Sequence, residues 1–297
     1  MMSSFQEIEA AMKSRVCKMD CELLCKTRGW SYGVCNTDNE FSNETVYRAY
    51  QTGVDVGIIN TEKYPFLTFQ SDERNIFRGL FREYTSLNAS EPINYEEWLI
   101  MNNFGILPDT QESLFERKIA KRSTADNKRR FVNTVRKGDI LITGRGVGGL
   151  IGHAAIMTTD YWVLEMPGGR GWQNGIKDNN RQISKHAWFD VHSSDWTTVY
   201  RNRDASVAHA AALWADHNYY NPSGGAKKTI HVTYKITTDI KSKNPSYCSK
   251  LVIQAYYFGT GKRKVISNLS VSGRVIVPTN IPIYFMHPYT LVNKGKY

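Results

Sequence analysis

A thiol that acts as a nucleophile needs a lowered pKa, a base to take its proton, and N–H donors for the oxyanion it creates. Cys248 meets two of these needs by its place in the chain. Asn244-Pro245-Ser246-Tyr247 interrupts the chain, and CSKLVIQAYYFG (248–259) then reads as a helix with Leu251, Val252, Ala255 and Tyr256 on its apolar face and Gly259 as its stop. A helix N-terminus favours a thiolate and leaves backbone N–H groups without intrahelical partners. On these residues alone Cys248 fits equally well as a small buried hydrophobe.

The third need is an imidazole. Of the seven histidines, His153 opens a predicted strand directly after a glycine-rich loop, where a side chain can reach a cleft. Counting out from a turn at Thr159-Asp160 places it across from residue 165 or 166, so Glu165 can be its cross-strand neighbour and orient the ring. Taken singly, His153 also suits a partly buried histidine bonded to backbone, and Glu165 an exposed strand carboxylate. His209 and His217 share a face of a predicted helix but lack a third metal ligand. His186, His192, His231 and His287 suggest only solvent-facing or capping roles.

Gly144, Gly146 and Gly149 satisfy G-x-G-x-x-G after a strand, with Glu165 about twenty positions on. The dinucleotide fingerprint also needs a helix to begin there. HAAIMTTDYWVLE follows instead, rich in β-branched and aromatic residues, so nucleotide binding is set aside and the glycines read as a flexible loop beside the site.

The elements around these residues give an α+β pattern. Before residue 117 the chain reads as helical: Phe5, Ile8, Met12 and Val16 recur at helical spacing, Ser71 caps a helix carrying Ile76, Leu80, Phe81 and Tyr84, and a third helix spans 94–103. RKIAKRSTADNKRRFVNTVRK (117–137) is densely basic and reads as a solvated linker or exposed helix, with a processing site or docking strip as the sharper readings. After Gly138, strands are predicted at 138–143, 153–159, 161–166, 181–191 and 197–202, an Ala-rich helix at 206–220, and a β-prone run at 228–238.

Together GDILIT, GHAAIM, WVLEMPG, VYR, the Ala-rich helix, YCSKLVIQAYY and the trailing VIVPTNI resemble the permuted NlpC-like papain-fold cysteine hydrolases, the YiiX/YycO-like group. The resemblance spans residues 137–297 and leaves 1–116 uncovered. It implies a half-barrel sheet packed on the Cys-bearing helix. Cys248 would be the nucleophile, His153 the general base and acid, and Glu165 the orienting residue; the Cys248 N–H, helped by Tyr247, would hold the oxyanion. No cofactor or metal is called for. The division that follows is a helical region (1–116), a basic linker (117–137) and a hydrolase domain (138–297).

The 297 residues carry 38 Lys+Arg against 28 Asp+Glu, a net charge of +10. That charge favours anionic surfaces such as lipid headgroups or wall polymers, and its scatter does not single out nucleic acid. No run is long and apolar enough to span a membrane, and the N-terminus lacks a signal-peptide core. The chain is therefore expected to stay inside, to leave by another route, or to be a mature form. The leading expectation is a peptidoglycan endopeptidase or amidase acting through a thioester. The alternatives are a lipid-directed thioesterase or acyltransferase of the same fold and a non-enzymatic basic binding or toxin module. Cys17, Cys21, Cys25 and Cys35 are expected to be structural, as disulfides, a reduced cluster or a zinc site.

Overall fold

The computed structural model describes residues 41–86, 93–115, 124–146, 148–261, 263–267 and 275–297. The helix expected through Phe5 and Val16, and the four clustered cysteines, lie outside the described residues.

Helix α1 (Asn43–Asp55) starts where the Ser42 hydroxyl accepts from the Thr45 N–H. Helix α2 (Phe66–Asp72) follows Pro65 and runs through a π-helical turn, Glu73–Phe77, into α3 (Arg78–Thr85). The helix expected to be capped by Ser71 thus starts six residues earlier, because Pro65 supplies the extended backbone that precedes the first turn. Helix α4 (Tyr95–Met101) carries a full capping box between Asn94 and Glu97. These helices meet through aromatic rings: Phe77 packs edge-on against Trp98, and Tyr95 stacks on Trp98.

The basic stretch contributes helix α5 (Thr124–Thr134), anchored by the buried Phe131. The strands are β1 (Ile140–Thr143), β2 (His153–Met157), β3 (Trp162–Glu165), β4 (Arg181–Ser184), β5 (Thr197–Asn202) and β6 (Leu291–Lys296). They form one antiparallel sheet in the order β4-β3-β2-β1-β5-β6. This corrects the half-barrel expectation. The sheet is open: β4 pairs only with β3, and β6 only with β5, so the two edges never meet. The α+β class itself stands.

Alternation along the strands feeds two cores. Ile140, Ile142, Ala154, Ile156, Leu164 and Tyr200 enter the larger one, shared with Phe77, Trp98 and residues of two further helices, α7 (Ala205–Tyr219) and α8 (Cys248–Gly259). Leu141, Ala155, Met157, Val163 and Val199 enter a smaller one closed by Phe131 and by Trp188 and Phe189 of α6 (Lys185–Val191). The run expected as one strand over 181–191 therefore splits after Ser184, whose hydroxyl accepts from the Ala187 N–H and caps α6. The β-prone run 228–238 joins no strand. The Asn180 side chain takes the Val232 N–H at 2.7 Å, and only isolated bridges at Tyr234 tie the segment to Ile176 and Ser246. Among the described residues no helix is long and apolar enough to cross a membrane.

Candidate active site

Helix α8 begins at Cys248, and its start is fixed from several sides. The Tyr247 hydroxyl accepts the Ile276 N–H at 2.9 Å, and Ser249 Oγ donates to the Ile276 carbonyl at 2.7 Å. The buried Lys250 donates to the Pro245 carbonyl at 2.9 Å, and burial lowers its pKa to about 8. Tyr219 bonds Ser246 and Gln254 from α7. The turn that carries Cys248 is thus tied to the 275–277 segment, to its own preceding loop and to the neighbouring helix.

His153 opens β2, and Gly152 before it has a φ of +91°. The loop leading into it is held by the N-terminal helices: Trp98 Nε1 donates to the Gly149 carbonyl at 2.8 Å, and the Asn102 side chain accepts the Ile151 N–H at 2.8 Å. This segment, expected as a flexible loop, is pinned where it reaches the histidine.

His153 Nε2 and Glu165 Oε2 are 2.8 Å apart, with both side chains almost fully buried. The ladder pairs Ala155 with Glu165, so the pair is diagonal, two residues off the directly opposed position the hairpin count suggested. The other carboxylate oxygen of Glu165 accepts from Arg181 Nε at 2.9 Å.

Burial pushes the Glu165 carboxyl up, but the His153 hydrogen bond and charge and Arg181 outweigh it, leaving it below the usual carboxylate range. Burial alone would lower the His153 pKa; bonds and charge from Cys248 and Glu165 carry it to about 9. Burial likewise pushes the Cys248 thiol up, and the His153 ring, the Ala154 N–H and Ser249 hold it below its ordinary value. Cys248 Sγ lies 3.9 Å from Ser249 Oγ. All three directions favour the charged forms of thiol, imidazole and carboxyl.

A fourth group escaped the sequence reading. His192, expected at most to cap or face solvent, does follow α6 as its C-cap, but it is buried. Its ring contacts Trp188 at 4.2 Å and lies nearly parallel to the His153 ring at 5.9 Å. Burial lowers its pKa, and the charge of the neighbouring His153 adds to this against the opposing pull of Asp195 and Glu165. No local spacing marks it, because it reaches His153 only through the fold of α6. His153, Glu165 and His192 offer ligand atoms within 4.8 Å of one another, the one candidate metal-binding group among the described residues. A cation there would have to open the His153–Glu165 bond and sit beside Arg181, which disfavours it.

The family described as "Lipoprotein N-acylation protein LnsA-like" matches residues 101–295. An "Uncharacterized 30.3 kDa protein" of Bacillus thuringiensis is 33% identical over 245 residues, covering 81% of this chain and 84% of that protein. No solved structure matches. The chain belongs to the LnsA-like family. That membership overturns the assignment to the permuted NlpC-like papain-fold hydrolases, and with it the reading as a thiol peptidase or amidase of peptidoglycan. The His153–Glu165–His192 cluster also differs from the expected site, since His153 has a second buried imidazole beside it.

Proposed function

We propose that this protein is an acyltransferase that carries a fatty acyl group as a thioester on Cys248 and delivers it to an amine of a lipidated polypeptide. The observation that carries the reading is Cys248 at the first turn of α8 with its thiol lowered by His153. The family's description supplies the class of reaction.

In the first step the Cys248 thiolate attacks the carbonyl of an acyl ester. The C–S bond forms, the C–O bond breaks, and the imidazolium of His153 gives its proton to the leaving oxygen. In the second step an amine attacks the thioester, His153 takes the amine proton, an amide forms and the thiolate is released. Glu165 holds the ring and stabilises its charged form. The Cys248 N–H at the helix start faces the developing oxyanion, and Tyr247 serves by fixing that start. The N-terminal region acts as a positioning unit, because Trp98 and Asn102 hold the loop that leads into His153. The net charge of +10 suits an anionic membrane surface as the place where donor and acceptor are met.

The test is mass spectrometry of the protein incubated with acyl-ester donors and an amine acceptor. An acyl adduct on Cys248 that disappears as amide product forms is the expected result. Product formation without any adduct, undiminished in Cys248→Ala, overturns the reading.

A further inference from the structure

Tyr234 lies in the irregular run before α8, yet its backbone is the best-tied part of that run. Its N–H donates to the Ile176 carbonyl at 2.8 Å and its carbonyl accepts from Ile176 at 3.0 Å. On the other side it bridges Ser246, two residues before the nucleophile, through the Lys235 N–H to Ser246 carbonyl and Ser246 N–H to Thr233 carbonyl bonds. The ring is fully buried in the larger core. Its hydroxyl is buried and finds no hydrogen-bond partner of good geometry. A buried hydroxyl left in that state is destabilising, so a fold that keeps one at a site has a use for it.

What the hydroxyl faces is chemistry. Burial raises the Tyr234 phenol well above its ordinary pKa, the charges of Cys248, Tyr247 and Glu83 raise it further, and so does a hydrogen-bonding contact with the Cys248 thiol. A phenol so held stays protonated and can donate. Glu83 itself lines a cleft of about 380 Å³ together with Arg145, Arg170 and Trp172.

We propose that Tyr234 is a catalytic residue of the acyl-transfer reaction: its O–H joins the Cys248 backbone N–H in holding the oxyanion formed when the thiolate adds to the acyl carbonyl. This rests on the reading of Cys248 as acyl carrier. The tetrahedral centre is bonded to Sγ, so a donor beside the thiol lies within reach of the new alkoxide. Helix geometry supplies one such donor and Tyr234 supplies the second. In the resting state the hydroxyl has the Cys248 sulfur beside it and no acceptor in good geometry, and the alkoxide is the acceptor it gains in the reaction.

The test uses the full chain and Tyr234→Phe, with p-nitrophenyl octanoate as acyl donor and iodoacetamide as a second probe of the same sulfur. Acylation passes through an oxyanion; alkylation by iodoacetamide displaces iodide and does not. Tyr234→Phe is expected to slow acylation of Cys248 by about 10²–10³-fold, to leave alkylation and its pH profile unchanged, and not to lower the Tm, since the ring is kept and an unpaired hydroxyl removed. Equal acylation in both proteins overturns the role of Tyr234 alone. Parallel loss of acylation and alkylation overturns it too, and shows that the phenol serves the thiolate or the packing. A wild-type protein that gains no acyl mass at Cys248 overturns the acyl-transfer reading, and this assignment with it.

Discussion

Two buried glutamates, one in the N-terminal helices and one in the sheet, are each met by an arginine, and they are wired differently. Glu73, in the π-helical turn between α2 and α3, gives both oxygens to Arg78, at 2.6 and 2.9 Å. Glu165, on β3, gives one oxygen to Arg181 and the other to His153. The first arrangement is a closed bidentate pair that fixes two turns of helix to one another. The second leaves half of the carboxylate in contact with a group that titrates, and through it with a thiol. The contrast separates a charge buried for architecture from a charge buried for chemistry.

Substitutions on the two sides should therefore fail in different measurements. Cys248→Ala removes the only cysteine among the described residues, and no acyl adduct should be detected by mass spectrometry. His153→Ala should slow acylation by about 10²–10⁴-fold, the usual worth of a general acid–base group, and should slow iodoacetamide alkylation at neutral pH as well. Glu165→Gln should slow acylation less than His153→Ala does, because an amide oxygen still accepts the ring N–H bond. Glu73→Gln should leave acylation of the folded protein intact and appear in denaturant unfolding, at about 3 kcal/mol for a buried pair broken on one side. A Glu73→Gln protein with normal stability, or a Glu165→Gln protein with normal rates, would dissolve the distinction.

Acidity sharpens it further. The Glu165 carboxyl is lowered by folding, so its contribution to stability is complete above the ordinary carboxylate range and is lost as pH falls through the folded value. His153 is raised to about 9, so its contribution is complete below its ordinary value near 6.5 and is lost as pH rises through about 9. Alkylation of Cys248 should therefore persist at mildly acidic pH where free thiols are inert. In Glu165→Gln that window should narrow: the imidazolium is less favoured, and the thiol rises with the loss of its counter-ion. The smallest effect is expected from Arg181→Met, since Arg181 is 45% exposed and its charge is screened by water.

Cys248 and His153 were legible because each sits at an element boundary with a local signal, an Asn-Pro break before one and a glycine run before the other. Glu165 followed from counting a hairpin, though the true pairing is diagonal. His192 and Tyr234 were not legible, since what brings them to the site is the packing of α6 and the bridging of an irregular run, neither of which has a period. The short motifs shared by many thiol enzymes misdirected the family assignment, and the sheet's open edges could not be read from strands whose order was unknown. The change of texture at residues 117–137 is real in the sequence, while Phe77 and Trp98 share a core with Ile140 and Ile151 across it. A chain beginning at Arg117 should accordingly be insoluble or lose thiol labelling; a soluble, reactive product would show that the two parts fold apart.

The diagonal placing of His153 and Glu165 has a consequence for how the family can diverge. Side chains alternate between faces along a strand, so a slip of β3 against β2 by one residue would turn Glu165 toward the helices on the opposite face, while a slip by two would keep it on the face of the histidine. The turn between Met157 and Trp162 is free to change in length as long as it leaves that ladder in place. What the pair needs is the parity of the pairing, and the turn is only its fastening.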